Sequence, residues 1–380
     1  MPWKEVTTLS ERIEFIQKAL EFGSNMAELC RQYGISRKTG YKWLKRYFEA
    51  GPEGLIDQTR RPHGHPWHTS EAMETLVVWV RANYAGWGGR KIKGWLEQHE
   101  MMDIPSASTI TQILRRNGVL DLSESRKHRP ARRFEMETPN VLWQMDYKGK
   151  VQTLEGRACY PLAVLDDASR FLLTLTACPN QTQTTIQNTL TKVFREVGLP
   201  ERMLMDNGPS WSGTARKHDF TFLSIWLIRL GITVSHGRAY HPQTQGKIER
   251  LNRSLDEEVL NHVTPGNEQH AQSLFDRWQY IYNYERPHEA LGMKVPGSKY
   301  APSPRPFPEV LPLIEYPSNA IIRKVDQSGR LSFRNRIFRI GKSFAYLPVQ
   351  IVPTEVDGEF QVRFLHQPVA YLNFGCNNVK

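Results

Sequence analysis

Apolar side chains in the first fifty residues recur at the spacing of short helices. Ile13, Ile16 and Leu20 form one apolar stripe, and comparable groups follow as far as Tyr47, with glycines between the groups. Because each group is short and ends near a glycine, three short helices are predicted within residues 1–50.

The third of these helices is predicted to begin at Ser36, whose side chain makes a favourable N-cap. In a helix-turn-helix this helix enters the major groove of DNA, whereas on a plain bundle it would be a solvated basic face. Residues 26–36 look like the first helix and turn of that motif, which favours DNA binding. The predicted DNA-binding side chains are Arg37, Lys38, Lys42, Lys45 and Arg46.

A second helical unit is predicted at 69–122, after a linker at 51–68 that is rich in Gly, Pro and His. Its last helix begins at Ser106 or Ser108 and ends in two arginines, as the recognition helix of a second helix-turn-helix would. Its three helices are predicted at 71–84, 90–99 and 106–117.

The segment 123–137 is a basic linker in which Pro130 disfavours a regular helix. If its basic residues all met phosphates, they would add roughly −4 to −5 to the slope of log affinity against log salt. We interpret the segment as a connector that contacts DNA, with a protease-sensitive linker as the alternative. The residues concerned are Arg126, Lys127, Arg129, Arg132 and Arg133.

From residue 138 the pattern changes to short strands followed by alternating helices and strands. This order predicts a mixed α/β layer over 138–295, open enough to gather side chains from several strand ends at one edge. Strands are predicted at 141–147, 158–165, 171–176, 202–205 and 232–235, and helices at 184–197, 220–230, 243–263 and 268–284.

The remaining residues form a spacer and a small β domain in this interpretation. Residues 296–318 are rich in proline and are predicted to be a linker. Residues 319–380 hold short alternating strands, such as those at 331–334 and 360–364, which predict a small β-barrel of the Src-homology-3-like type.

The formal net charge of +11 is unevenly distributed along the chain. Residues 1–140 and 319–380 each carry an excess of +5, whereas the residues between them carry only +1. Basic ends around a balanced centre suit modules that grip a polyanion, and nucleic acid is the obvious one. The four cysteines form no C-x-x-C pair and no apolar run approaches roughly 20 residues, so neither a disulfide framework nor a membrane protein is expected.

Three acidic residues stand where predicted elements end or begin. Asp146 and Asp206 each follow an apolar strand, and Glu249 lies on a predicted helix. Singly, each would be interpreted as a turn or cap residue, but three converging carboxylates would repel one another unless a divalent cation were bound. Oxygen ligands without His or Cys select Mg²⁺ or Mn²⁺, and two such ions about 3.5–4 Å apart suit in-line displacement at phosphorus.

The residues around these acids resemble the three catalytic blocks of insertion-sequence transposases with a retroviral-integrase-type core. The blocks are WQMDYKG at 143–149, DNGP at 206–209 and GKIER at 246–250, and their order matches as well. Downstream, YNYERPHEALG at 282–292 looks like the segment that closes this core in the same family.

The resemblance implies an RNase H-like integrase core that carries out DDE-type DNA strand transfer. Asp146, Asp206 and Glu249 would be the catalytic residues and would bind two Mg²⁺ ions, with Mn²⁺ as a substitute. Where the family often has a basic residue two helical turns after the glutamate, this chain has Asp256. The basic residues expected to hold DNA near the triad are Lys148, Lys247, Arg250 and Arg253.

The implied partners are the terminal repeats of the element and a target DNA, with a homodimer or larger assembly holding two ends. No small-molecule substrate and no membrane are expected, and a bacterial cytoplasm is the expected setting. Two alternatives stay open, a helix-turn-helix regulator with an inactive core and an RNase H-like nuclease that cuts without joining. Asp166 and Asp167 are interpreted as turn residues in preference to a further metal ligand.

Overall fold

The computed structural model describes residues 7–57, 69–120, 135–206, 220–236 and 246–374. Contacts divide the chain into a smaller unit before Thr69 and a larger unit from Thr69 onward. No helix in the described ranges is both long and apolar enough to cross a membrane. The predictions that lie outside the described residues concern Arg126, Lys127, Arg129, Arg132 and Arg133, the residues after Asp206 in its block, and the residues just before Gly246.

The smaller unit contains the three helices that the apolar spacing predicts. The Ser36 side chain accepts a hydrogen bond from the Thr39 amide, so the predicted N-cap is confirmed. The last helix approaches the second one closely at Gly40, where an added methyl group would lie 2.6 Å from the Cys30 sulfur. The helices are α1 (Thr8–Ala19), α2 (Met26–Gln32) and α3 (Arg37–Ala50).

Residues 69–120, which we call the helical domain, begin the larger unit. The predicted helices are confirmed to within one or two residues, and the Ser106 side chain caps the last of them by accepting from the Thr109 amide. Trp87, Ile92 and other apolar side chains fill a small core between the helices. They are α4 (Glu71–Asn83), α5 (Gly89–Gln98) and α6 (Ala107–Arg116).

A mixed sheet forms the centre of the larger unit, as predicted. In chain order its strands are β1 (Leu142–Tyr147), β2 (Val151–Gln152), β3 (Ala158–Asp166), β4 (Leu172–Cys178), β5 (Arg202–Met205) and β6 (Thr233–His236). The spatial order is β4–β3–β1–β5–β6, and β2 pairs with the start of β3. The first strands pair antiparallel, whereas β5 and β6 run parallel to β1. The two-residue β2 is too short to show an alternating pattern and was not predicted.

Helices cover both faces of this sheet. Two of them pack through side chains such as Phe194 and Leu227 on one face, and the other two pack through Ile248, Leu251 and Phe275 on the opposite face. They are α7 (Gln183–Val197) and α8 (Phe222–Arg229) on the first face, and α9 (Gly246–Leu255) and α10 (Glu268–Tyr284) on the second. A π-helical turn, Asp256–Leu260, continues directly from α9.

The described strands of the C-terminal domain all pair antiparallel, in agreement with the alternating pattern. Its hydrogen bonds divide it into a four-stranded sheet, β12–β11–β10–β7, and a hairpin, β8–β9. It is docked on the core, because the Ser343 hydroxyl donates to the Phe220 carbonyl and the Gln367 side chain accepts from the Val234 amide. The strands are β7 (Ile321–Lys324), β8 (Arg330–Phe333), β9 (Arg336–Arg339), β10 (Pro348–Pro353), β11 (Glu359–Phe364) and β12 (Gln367–Asn373).

The proline-rich segment 296–318 lies along the core and does not behave as a free spacer. The Ser303 amide donates to the Val197 carbonyl at 2.8 Å, and the Leu199 amide donates to the Arg305 carbonyl at 2.8 Å. The Arg305 guanidinium in turn donates to the carbonyls of Pro200, Leu230 and Gly231. Proline favours an extended chain whose carbonyls point outward, so the segment straps the end of α7 to the start of β5.

The close passage of this strap at Gly198 predicts a large effect of Gly198→Ala. Gly198 has φ +80°, and an added methyl group would lie 2.7 Å from the carbonyl oxygens of Ser303 and Arg305. Gly156 is a matched control, because it has φ +78° and open space around it. In urea unfolding, Gly156→Ala should cost ~1 kcal/mol for backbone strain and Gly198→Ala ~2–4 kcal/mol. Equal costs would mean that the strap does not constrain this turn.

Candidate active site

Parallel pairing brings two of the predicted acids to the same edge of the sheet. Met145 on β1 lies opposite Met205 on β5, so Asp146 and Asp206 follow at neighbouring positions where the two strands end. Adjacent strands are about 4.8 Å apart. On the far side of β5, the His236 ring nitrogen Nδ1 lies 3.2 Å from the carbonyl oxygen of Asp206.

The third acid reaches this edge from α9. Glu249 lies in the first turn of α9, which is held on the sheet by the buried side chains of Ile248 and Leu251. One turn further along, the Asn252 amide nitrogen donates to Asp146 Oδ2 at 3.2 Å, which joins α9 directly to β1. Asn252 was not predicted, although its position three residues after Glu249 on a helix places the two side chains on one face.

The carboxylates are close enough to disturb one another. Burial, followed by the negative charge of Asp206 and then that of Glu249, raises the pKa of Asp146 to about 7. Hydrogen bonds from the Tyr147 amide and the Asn252 side chain oppose this shift. The structure therefore brings all three predicted acids together, as mutually repelling charges around the end of β1.

The donor atoms fit a hard divalent cation. Within the ranges that the structure describes, no three His, Cys, Asp or Glu side chains are already arranged as a complete metal site. The acids contribute only oxygen ligands, however, and the raised pKa of Asp146 reflects first its burial and then a repulsion that a cation would remove. The side-chain oxygen of Asn252 is also buried beside Asp146 with no hydrogen-bond partner among the described residues.

Basic residues near the acids fall into two groups. Lys148 is only 14% exposed and pairs with Asp256 on the π-helical turn, with 2.7 Å between Lys148 Nζ and Asp256 Oδ1. Arg250 is exposed and lies 3.6 Å from Glu257, and Arg253 is exposed. Lys148 follows β1 directly, and Arg250 and Arg253 lie on α9, the helix that carries Glu249.

Lys247 has a different environment from the one that a DNA contact requires. Its Nζ lies 2.5 Å from Oδ2 of Asp167, which is fully buried, and the lysine itself is 14% exposed. Burial lowers the pKa of Lys247, and the hydrogen bond to Asp167 opposes that shift. The ammonium group therefore anchors the first turn of α9 to the sheet. The sequence prediction of a DNA contact is not supported by this placement.

The interpretation of Asp166 and Asp167 as turn residues is confirmed. Asp166 accepts hydrogen bonds from the Asn140 amide at 2.7 Å and from the amide and hydroxyl of Ser169. Asp167 accepts from the Gln144 side chain at 2.7 Å in addition to its pair with Lys247. Asp166 is the last residue of β3 and Asp167 the first of the turn that follows, and the hydrogen bonds of both buried carboxylates hold this turn.

The predicted DNA-binding helix α3 presents its basic side chains to solvent. Arg37, Lys38, Lys42 and Lys45 are exposed, whereas Arg46 is half-buried with its guanidinium 5.1 Å from the centre of the Trp43 ring. The helical domain has an exposed polar face as well, on α6, formed by Ser108, Gln112 and Arg115. The i, i+4, i+7 spacing of these α6 residues carries the signal that could have revealed them.

Comparison with protein families matches most of these segments. An integrase core domain model matches residues 137–242, and a second integrase core domain model matches 230–296. A helix-turn-helix domain model matches 11–63 and a homeodomain-like domain model matches 39–114. The C-terminal domain model of IS481 family transposases matches 320–379.

Individual proteins match the chain over shorter stretches. An uncharacterized 31.7 kDa protein of insertion element IS407 from Burkholderia multivorans is 26% identical over 158 residues, 42% of this chain and 54% of that protein. The Gag-Pol polyprotein of Baboon endogenous virus is 29% identical over 181 residues, 47% of this chain and 10% of the polyprotein. The chain thus spans about half the length of the first relative and a tenth of the second.

Two of the solved structures that the chain matches are an integrase core and an intasome, both of low sequence identity. The HTLV-2 integrase catalytic core domain in complex with magnesium (trimeric form) is 14% identical, with a TM-score of 0.33, over 43% of this chain and 97% of that one. A simian T-cell lymphotropic virus intasome in complex with PP2A regulatory subunit B56 gamma is also 14% identical, with a TM-score of 0.39, over 80% and 98% of the two chains.

The central part of the chain is an integrase core domain with an RNase H-like fold, because its sheet order and both core models agree. Helix-turn-helix domains precede this core and an IS481-type domain follows it. The chain is therefore similar in its domains to insertion-sequence transposases with a retroviral-integrase-type core, the resemblance that its motifs predicted.

The raised pKa of Asp146 predicts how stability depends on pH in the metal-free protein. The folded state holds the Asp146 proton up to a pKa of about 7, whereas the unfolded chain releases it near 3.8. The free energy of unfolding should therefore fall as the pH rises from 4 to about 7. Asp146→Asn removes this fall, so in EDTA at pH 8 the variant should be more stable than the wild type by roughly 1–3 kcal/mol.

Urea unfolding between pH 4 and pH 8 measures this difference. Asp276→Asn is a suitable control, because Asp276 is an exposed carboxylate on α10. A stability difference between Asp146→Asn and wild type that stayed constant with pH would contradict the raised pKa.

Proposed function

We propose that this protein is a DDE transposase that cleaves the ends of an insertion sequence and joins them to target DNA. The observation that carries the proposal is the mutual approach of Asp146, Asp206 and Glu249 at one edge of an integrase-type sheet. Convergent carboxylates at this position suit phosphoryl transfer better than simple DNA binding, which needs no charge repulsion at its centre.

Asp146, Asp206 and Glu249 are the proposed catalytic residues and metal ligands. Two Mg²⁺ ions, or Mn²⁺ in their place, would supply Lewis-acid activation of water and of the scissile phosphodiester when bound. Asn252 orients Asp146 through its amide, and this type of support fixes ligand geometry in metal sites. The attacking groups are water and then the 3′-hydroxyl of the cleaved end, so no side chain needs to form a covalent bond to DNA.

The proposed DNA contacts fall into three groups, one near the acids, one on α3 of the N-terminal unit and one in the basic linker. Lys148 brings a positive charge to the end of β1, where Asp256 holds it two residues beyond Asp146. Exposed Arg250 and Arg253 lie on α9, the helix that carries Glu249. The further proposed contacts are Arg37, Lys38, Lys42, Lys45 and Arg46 on α3, and Arg126, Lys127, Arg129, Arg132 and Arg133 in the basic linker.

The proposed partners are therefore the two ends of the element and a target duplex. Holding two ends together requires at least two active sites, so we propose that the protein acts as a homodimer or a larger assembly on DNA. The proposed setting is a bacterial cytoplasm, where such an element is mobilised.

Strand transfer by the purified protein tests the proposal directly. A pre-cleaved end from the native locus, supplied with a target duplex and Mn²⁺ or Mg²⁺, should yield joined products longer than the substrate. Asp206→Asn should abolish them because it removes a ligand charge, while Asp276→Asn, an exposed carboxylate on α10, should leave them unchanged. Binding of the end should persist in both variants.

The two alternatives give different products in the same assay. A nuclease would produce only fragments shorter than the substrate, whatever the target. A regulator with an inactive core would bind the end tightly without metal and give no product with either ion. Either outcome for the wild-type protein would overturn the proposed strand transfer.

The basic face of α3 gives a prediction about salt dependence. If Lys38 and Lys42 both contact phosphates, Lys38→Gln/Lys42→Gln should make the slope of log affinity against log salt less steep by about 2. Lys18→Gln is the control. Lys18 lies on α1 of the same unit, away from α3 in sequence, and pairs there with Glu14. Fluorescence anisotropy on end DNA at several salt concentrations measures both slopes. Unchanged slopes would place DNA on a different face.

A further inference from the structure

The helical domain is attached to the catalytic core through a close backbone contact. A methyl group added at Gly94 on α5 would lie 3.1 Å from Cβ of Pro287 and 3.3 Å from Cβ of Met293. The Gln98 side chain donates to the Met293 carbonyl at 3.0 Å, and the Tyr84 hydroxyl donates to Glu285. We call this contact, between α5 and residues 285–293 with the π-helical turn, the docking interface.

A buried carboxylate lies at the centre of the docking interface. Glu258 on the π-helical turn is 5% exposed and accepts from Arg286 Nε at 2.9 Å and from Trp278 Nε1 at 3.0 Å. Lys91 of the helical domain adds a second cation, with Nζ 3.5 Å from the same carboxylate. Separating the two domains would leave these charges with fewer partners, which strongly favours the docked arrangement.

The same turn also reaches the catalytic site. Asp256, two residues before Glu258, pairs with Lys148 just beyond Asp146, and the turn continues directly from the helix that carries Glu249. A π-helical turn shifts successive side chains relative to a regular helix and often occurs at functional positions. The π-helical turn thus contacts Lys148, just after β1, on one side and Lys91 of the helical domain on the other.

The helical domain presents its polar face on α6, which packs against α5. Ile110, Ile113 and Leu114 are fully buried in the domain, while Ser108, Gln112 and Arg115 are exposed. Hydroxyl, amide and guanidinium groups are those that contact base edges and phosphates in the major groove. Because α6 is packed on α5 and α5 is docked on the core, this face has a fixed position relative to the acids.

We propose that the helical domain sets the position of cleavage by holding α6 at a fixed distance from the acidic site. We call this fixed arrangement the gauge. In this proposal, which rests on the proposed function, α6 contacts duplex DNA inside the element end. The docking interface then sets the distance from the contacted bases to the phosphodiester at the acidic site. The opposing possibility is that the helical domain leaves the core when it delivers an end.

A disulfide across the docking interface distinguishes these possibilities. Gly94→Cys/Met293→Cys places two Cβ atoms near the separation found in disulfides, and the single variants report any effect of the substitutions alone. All variants also carry Cys376→Ser, so that the new pair is the intended one. The oxidised protein should cleave the end at the same phosphodiester as the protein reduced with dithiothreitol, with less than about a twofold change in rate. Loss of cleavage on oxidation, restored by reduction, would overturn the gauge.

A second variant loosens the interface in place of locking it. Lys91→Met/Tyr84→Phe removes a cation and a hydrogen bond from the docking interface, so cleavage should spread over neighbouring phosphodiesters on a sequencing gel. Lys93→Met is the matched control, because Lys93 lies on α5 but pairs with Glu97 at the surface. A single unchanged cleavage position in the loosened protein would contradict the gauge.

Footprinting separates failure of the gauge from failure of the proposed function. If the wild-type protein yields no metal-dependent product, the proposed strand transfer is wrong, but hydroxyl-radical protection of the end still reports where the helical domain lies. The gauge predicts one continuous footprint that is the same in the oxidised and reduced Gly94→Cys/Met293→Cys protein. A footprint that shortens or moves on oxidation would overturn it.

Discussion

Parallel pairing of β1 with β5 is the constraint on which the site depends. Because the two strands run in the same direction and in register at Met145 and Met205, the residues that follow them emerge side by side. An antiparallel β5 would place Asp206 at the opposite edge of the sheet, far from Asp146. The parallel arrangement needs a crossover, which α7 supplies, and the strap at 296–318 fixes the end of that crossover to the start of β5.

Bringing carboxylates together at this edge opposes folding in the absence of a cation, and neighbouring contacts offset part of that cost. Asn252 donates to Asp146, and the Asp167 carboxylate holds both Gln144 on β1 and Lys247 on α9. The buried pair between Lys247 and Asp167 is costly in isolation, but it ties the helix that carries Glu249 to the loop after β3. The fold therefore uses the contacts of Asn252, Asp167 and Lys247 to position the strand and the helix that carry Asp146 and Glu249.

Periodic features of this molecule were predictable from sequence, and contacts distant in sequence were not. The helices of both helical regions and the main strands follow from apolar spacing, and the three acids followed from the resemblance of the motifs around them. Lys247 illustrates the limit, because its partner Asp167 is distant in sequence and no local pattern marks a buried lysine. The strap was missed for the same reason, since proline richness predicts an extended chain but not the surface on which that chain lies.

The acidic turn after α9 resolves the main departure of the sequence from its family. Asp256 stands where a basic residue is common, which would leave the end of the DNA without a positive charge on this helix. In the structure the charge lies just after β1 instead, because Lys148 follows Asp146 by two residues and its Nζ lies 2.7 Å from Asp256 Oδ1. The Asp256 carboxylate limits the directions in which the Lys148 side chain can point. The segment after β1 and the π-helical turn therefore position this cation together. Two positions that look unrelated in sequence are therefore paired in the structure.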